Sequence, residues 1–246
     1  MTTQIVDNID CLVGLRAVAM ASQDLIFADP PFNIDYQYGT GEYQDKRGYT
    51  EYLDWCDSWL LECYRVLKPS GSLWLAIGDK LAAELKIAAC NAGFIERNWI
   101  IWAYNFGVNC TNNYSLCHTH LLYFVKSSEF YFNPTRIPSD RQEKYSDDRA
   151  DPRGKIPPNM WFFPRICGTF QEREGWHPCQ MPLSILRRII GDCCPLEGFV
   201  LDPFAGSATT LCAAKELGRN ALGFESSDNF ASRGNQRITE HKVCMD

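Results

Sequence analysis

The segment FVLDPFAGSATTLCAAKELGRNALGFE, Phe199–Glu225, holds two short apolar runs with an Ala-rich stretch between them. The first run ends at Asp202. A turn containing Gly206 then opens a helix at Ser207, the helix stops at Gly218, and the second run ends at Glu225. A short apolar run followed by helical spacing and a second apolar run predicts a βαβ unit of a parallel sheet. Gly206 lets the backbone approach a ligand at the carboxyl edge of that sheet. Glu225, 23 positions after Asp202, stands where an acid can accept hydrogen bonds from both hydroxyls of a ribose. The turn has a lone glycine and no GxGxxG, which suits a nucleoside cofactor without a pyrophosphate. S-adenosylmethionine meets that description, with Asp202 toward its amino group and Glu225 toward its ribose. The plain structural alternative is an ordinary βαβ turn with Ser207 as helix N-cap.

Outward from this unit the same alternation continues. Asp24–Ala28 reads as a buried strand, Tyr52–Leu67 as a helix, Ser72–Ile77 as a strand, and Lys80–Asn91 as a helix closed by Gly93. Arg97–Tyr104 and His120–Val125 are further strands, and Pro182–Ile190 a helix. Strands alternating with helices predict an α/β fold with a mostly parallel sheet covered on both faces.

A second constellation, Asp29-Pro30-Pro31-Phe32-Asn33, follows the Asp24–Ala28 strand directly. Two prolines fix the backbone and remove two amide donors, so the carbonyls remain as acceptors. A carboxylate, an adjacent carbonyl and an aromatic ring together match a planar base with an exocyclic amine. A rigid turn with a core phenylalanine is the alternative for the tetrapeptide alone. Both constellations place an acid at the carboxyl end of a buried parallel strand, so both can open into one crevice.

With these residues the chain resembles the beta-group amino-DNA methyltransferases, the N4/N6 DNA methylase family. DLIFADPPFN resembles the family's catalytic motif, LDPFAGSATT its cofactor loop, NALGFE its ribose-binding strand, HPCQMP (His177–Pro182) the segment before that loop, and NIDCL (Asn8–Leu12) the N-terminal motif that meets the cofactor's adenine. The resemblance covers nearly the whole chain, with the catalytic motif first and the cofactor motif last. It implies a Rossmann-like S-adenosylmethionine-dependent methyltransferase fold with circularly permuted motif order, in a single catalytic domain. It implies catalytic roles for Asp29, Pro30, Pro31 and Phe32, and cofactor contacts from Asp10, Cys11, Asp29, His177, Gln180, Asp202, Phe204, Gly206, Ser207, Thr209 and Glu225. Methyl transfer is direct, so no nucleophilic cysteine and no metal are expected. Two positions depart from the family: Ala208 replaces a usual glycine, where alanine is expected to start the helix without loss, and Met181 stands where Lys or Arg is frequent.

The stretch Ser127–Gly175 lacks a sustained period and carries eight Lys/Arg interleaved with aromatics. It is expected to be an inserted target-recognition segment outside the core, contacting phosphates or base edges. Residues 35–50, rich in Gly and Tyr, are expected to form a mobile flap beside the pocket.

The net charge of -6 counts against DNA binding unless one face is locally basic. Twelve cysteines without a CxxC pair read as reduced thiols, mostly buried as small hydrophobes. Cys117, His118 and His120 lack a fourth ligand at zinc spacing. Without a signal peptide or apolar span near the N-terminus, a cytoplasmic location is the default expectation and no membrane is implied.

The expected partner is double-stranded DNA, with a second copy of the chain as a candidate. Asp at the first position of the tetrapeptide favours adenine N6; Ser there would favour cytosine N4, which stands as the alternative. RNA or protein-amide methylation usually begins the tetrapeptide with Asn. A catalytically inactive DNA-binding module would not need Asp29, Asp202 and Glu225, and a nicotinamide dehydrogenase would need a richer glycine loop.

Overall fold

The computed structural model describes residues 2–38, 43–105, 107, 110–145 and 147–242. In chain order its elements are β1 (Gln4–Asn8), α1 (Cys11–Ala17), β2 (Gln23–Ala28), β3 (Gln37–Tyr38), β4 (Tyr43–Gln44), α2 (Tyr49–Val66), β5 (Leu67–Ile77), α3 (Ala82–Asn91), β6 (Ile95–Ala103), β7 (His118–Val125), α4 (Asp140–Tyr145), β8 (Met160–Phe162), α5 (Leu183–Cys193), β9 (Phe199–Asp202), α6 (Thr209–Glu216), β10 (Asn220–Glu225) and α7 (Asp228–Glu240).

Eight strands form one sheet in the order β1-β10-β9-β2-β5-β7-β6-β8. All neighbours are parallel except those of β7, which runs against both β5 and β6. The period of two along each strand divides the core between the two faces. Leu25, Phe27, Trp74 and Ala76 pack with α5, α6 and α7, while Ile26, Ala28, Leu73, Leu75 and Ile77 pack with α1, α2 and α3. Every residue of β2 is buried, as its unbroken apolar run requires of a central strand.

The strand order reverses between β2 and β9. From β2 the chain crosses by α2 to β5, and from β9 it crosses by α6 to β10 on the other side. Leu25 pairs with Val200 and Ile26 with Leu201, so both strands end together. A crevice opens outside such a switch point because the following segments leave in opposite directions.

Two expectations need correction. The 127–175 segment is not wholly outside the core: β8 joins the sheet beside β6, and Trp161 is buried and stacks on Trp74 at 5.6 Å. The segment's first residues are also tied to the sheet. Tyr131 N–H bonds the Ser70 carbonyl at 2.9 Å, Asn133 N–H bonds the Asp192 carbonyl at 2.8 Å, and Thr135 bonds the Asp192 carboxylate. Ser70 lies early in β5 and Asp192 late in α5, so residues 127–135 dock at the amino edge of the sheet. The helix expected from Ser207 begins instead at Thr209, because Ala208 has a left-handed backbone (φ 60°). The Ser207 hydroxyl bonds Thr209 Oγ1 at 3.0 Å and does not cap the helix.

Because Trp161 fills the core between Trp74 and α5, Trp161→Ala is expected to lower unfolding free energy by about 3 kcal/mol in chemical denaturation. A loss below about 0.5 kcal/mol would instead mark β8 as a detachable surface segment.

Candidate active site

The crevice at the β2–β9 switch point is a cleft of about 700 Å³, within the usual range for small-molecule sites. All fourteen site residues expected from the sequence line it. Sequence positions from 10 to 225 converge there because β1, β2, β9 and β10 are parallel neighbours whose carboxyl ends share one edge.

At one end stands the corner after β2. Tyr52 of α2 donates its hydroxyl to the Pro31 carbonyl at 2.6 Å. Asn33, in a left-handed conformation (φ 56°), accepts from Arg47 N–H at 2.8 Å and donates to the Arg47 carbonyl at 3.1 Å. Phe32 rests on Gly78, where a Cβ would come within 3.1 Å of its ring. The corner is thus held on three sides by groups that leave Asp29 and Pro30 alone. Among the described residues no donor bonds the Asp29 carboxyl or the Pro30 carbonyl, and both face the cleft.

Asp29 is half-buried by surface area, but its carboxyl is enclosed by protein at the cleft floor. Burial, and then the neighbouring Asp202, raise its pKa from 3.8 to about 8. Burial likewise raises Asp202 to about 7, against the lowering effect of hydrogen bonds from Thr210 and from Phe204 N–H. Two carboxyl groups that protein alone leaves short of positive charge are suited to a cationic ligand or a proton.

The other end of the cleft is built on backbone amides. Gly206 N–H bonds Glu225 Oε2 at 3.0 Å, and Ser227 N–H bonds Oε1 at 2.8 Å. Glu225 is thereby fixed in orientation while burial raises its pKa. Gly206 has φ 47°, and a Cβ there would lie 2.9 Å from His177 Nε2. The His177 ring lies edge-on to Phe230 at 4.9 Å. Burial, with Arg237 second, lowers its pKa to about 4, so it is neutral. Asp10 caps α1 through Leu12 N–H at 2.9 Å and Val13 N–H at 3.3 Å. Cys11 beside it is buried, and burial raises its thiol to about 12. Gln180 spends its amide on the backbone of Glu172 and Glu174 at 2.7 and 2.9 Å, which makes it a brace of this wall.

Several residues that line or brace the cleft carried no signal in the sequence motifs, among them the partners of Phe204. Phe204 packs edge-on against Trp55 and Trp59 of α2 at 5.6 and 5.3 Å. Tyr52, Trp55 and Trp59 stand at helical spacing, which was the available clue. Arg237 of α7 is buried and gave no clue. It donates to the Ser207 carbonyl at 2.7 Å and to Thr209 Oγ1 at 2.8 Å, and pairs with Glu174 at 3.0 Å. It therefore ties the glycine turn to the wall carrying His177. Arg47, Arg165 and Arg233 also line the cleft and lie over Trp55, Tyr104 and Trp176 at 4.8, 5.2 and 5.8 Å.

The expected flap, residues 35–50, has its tip (39–42) outside the described residues. Its base is a two-stranded β3–β4 ladder, held by the buried Asp45, which accepts from the Tyr36 and Ile34 amides. Residues 49 and 50 already belong to α2. Among the described residues no cluster of three His, Cys, Asp or Glu is placed to hold a metal, and no helix is long and apolar enough to cross a membrane.

Comparison with known proteins agrees with this geometry. The profile of the N6/N4 methylase family, described as DNA methylase, matches residues 23–236. The chain is 33% identical over 231 residues to the type II methyltransferase M.HpaI of Haemophilus parainfluenzae, covering 93% of this chain and 72% of that protein. It is 32% identical over 240 residues to the DNA adenine methyltransferase YhdJ of Escherichia coli K12, covering 93% and 80%. Among solved structures, the fold is shared with a putative DNA modification methylase of Thermus thermophilus complexed with S-adenosyl-L-methionine (TM-score 0.69, 24% identity, covering 100% and 96%). It is shared also with the cytosine-N4-specific PvuII DNA methyltransferase (TM-score 0.71, 18% identity, covering 98% and 95%). The chain belongs to the N4/N6 DNA methylase family and is an S-adenosylmethionine-dependent DNA amino-methyltransferase.

Proposed function

We propose that the chain methylates N6 of adenine in duplex DNA, with Asp29 and the Pro30 carbonyl holding the amine. The observation that carries this reading is the pair of unclaimed acceptors on a corner whose other groups are already bonded. Asp29 as the first residue of the tetrapeptide supports adenine over cytosine, whose N4 is the competing target.

The cofactor's fit rests on the cleft itself. Gly206 has no room for a Cβ, Glu225 is oriented by amides to accept from a ribose, and Asp202 lacks a compensating cation. Phe204, Phe230 and Ile9 supply the apolar walls for an adenine, beside Asp10 and Cys11; Ser207, Thr209 and His177 shape the turn. When bound, the cofactor supplies an electrophilic methyl group on a positively charged sulfur.

The rest is done by residues of the chain. Phe32 stacks on the target base, which must leave the helix to reach the cleft. An exocyclic amine is a poor nucleophile because its lone pair is shared with the ring. Acceptors on both of its hydrogens turn that lone pair out of the ring plane, which is positioning and electrostatic work. As the new N–C bond forms, the amine loses a proton, and Asp29 is placed to receive it; a carboxylate with a raised pKa is the better base. Recognition of flanking sequence is assigned to the part of 127–175 that reaches the cleft, at Arg165. The segment on the β3–β4 ladder closes over bound DNA.

Nucleoside analysis of DNA incubated with enzyme and cofactor is expected to show N6-methyladenine, and N4-methylcytosine alone would move the assignment to the other base. Asp29→Ala is expected to lower kcat at least 1000-fold with cofactor affinity within a few-fold of the parent; retained turnover would remove Asp29 from the mechanism.

The raised pKa values carry a pH signature. A carboxyl raised in the folded state contributes stability that is full below 3.8 and is lost as pH rises through its folded value. The free protein should therefore lose melting temperature from pH 4 toward pH 8, and Asp29→Asn should gain on the parent across that range. Cofactor affinity should rise about tenfold from pH 6 to pH 8 as Asp202 ionises, with Asp202→Asn abolishing the trend. A flat calorimetric profile for the parent contradicts the role of Asp202.

Arg237→Met removes the buried hydrogen bonds to the Ser207 carbonyl and Thr209 Oγ1, so a loss of about 2 kcal/mol is expected. Cofactor Kd should also rise more than tenfold, with Arg237→Lys recovering part of it. Unchanged cofactor affinity in a folded variant would reduce Arg237 to a packing residue.

A further inference from the structure

The β6–β7 connection leaves the sheet at the edge that carries Asp29 and Asp202. Its two stems are walls of the cleft: Tyr104 on one side and Thr119 on the other. Tyr104 N–H bonds the Cys117 carbonyl at 2.9 Å, and the Tyr104 hydroxyl bonds the His118 carbonyl at 3.0 Å. At Gly107 a Cβ would lie 2.4 Å from the Leu116 carbonyl oxygen, so the two arms of the neck touch. Beyond this neck residues 110–117 are exposed. Tyr114 is 98% exposed and Leu116 52%.

Residues 105–117 contain no Lys, Arg, Asp or Glu. A loop that grips the phosphate backbone needs cations, and this one has none. What it projects is a flat aromatic ring with a short aliphatic neighbour, a combination that stacks on bases or wedges between them. The loop stands beside the cleft that takes a base out of the duplex. Extrusion leaves a gap in the stack and costs a few kcal/mol of lost stacking and pairing.

We infer that Tyr114 enters the base stack of duplex DNA and fills the space vacated by the target base. The inference rests on methylation of a base in duplex DNA. It adds that the extrusion step is assisted from the β6–β7 finger, outside the methyl-transfer machinery. Tyr114 touches neither the Asp29 corner nor the glycine turn, and its ring is fully solvated, so truncation leaves the fold intact.

The test compares the parent with Tyr114→Ala and Tyr114→Phe on two duplexes. Both contain the sequence context in which the modified base occurs in DNA from expressing cells. In one the target faces its normal partner; in the other it faces an abasic site, so that it is already unpaired. Tyr114→Ala is expected to lower kcat/KM ten- to 100-fold on the paired duplex and less than threefold on the abasic one, with Tyr114→Phe close to the parent on both. Equal losses on both duplexes, or no loss on either, overturn the assignment. Absence of methylation by the parent on both would instead strike at the methyltransferase reading, so the two failures are told apart.

Discussion

Everything in this molecule follows from two parallel strands that end side by side and then part. Because the crossovers from β2 and β9 leave in opposite directions, nothing covers the carboxyl ends of those strands. A gap the size of a nucleoside pair remains in an otherwise close-packed α/β domain. Asp29 and Asp202 stand at its floor, enclosed enough to be poorly solvated and near enough to repel one another. Among the described residues no cation neutralises either. Such an arrangement costs stability in the free chain; on the proposed function the ligands bring what is missing, positive charge for one acid and amine hydrogens for the other.

Three of the acids lining the cleft are graded by how much the backbone already gives them. Glu225 accepts from the amides of Gly206 and Ser227 and is held in one orientation. Asp202 has Phe204 N–H and Thr210. Asp29 has no donor among the described residues. A carboxylate with amide partners is an acceptor held in one orientation, while one without them is free to trade a proton. On the proposed function that gradient, more than residue type, separates a hydroxyl-binding acid from an amine-binding one within a single cleft.

What the sequence made legible follows the same logic. Asp29, Asp202, Gly206 and Glu225 sit at strand ends and turns, where local chemistry and position coincide, so short motifs disclose them. Arg237 is different: it acts from α7 across to the glycine turn, and nothing near it in the chain marks it. The 127–175 segment misled because β8 is three residues long and its pairing with β6 is non-local. Burial of Trp161 depends on a face supplied by Trp74 and Arg188, which no window of sequence contains. Ala208 misled for a backbone reason. Its high helix propensity suggested a helix start, but the turn needs a left-handed residue there, and the following Thr209 starts the helix instead.

The net charge of -6 looked adverse to nucleic acid, and the structure gives it a different meaning. Many cations of the chain are spent on acids close by: Lys68 on Asp24, Arg149 on Asp147, Arg153 on Asp151. The three arginines that line the cleft are disposed otherwise. Arg165 and Arg233 rest on aromatic rings, and Arg47 does too, with only a long contact to Glu51 at 3.9 Å. A ring orients a guanidinium without cancelling its charge, whereas a bidentate carboxylate both orients and neutralises it. Positive charge is therefore kept at the cleft. The field a DNA strand meets there is set by that local arrangement, and the overall excess of acids keeps the remaining surface from competing for it.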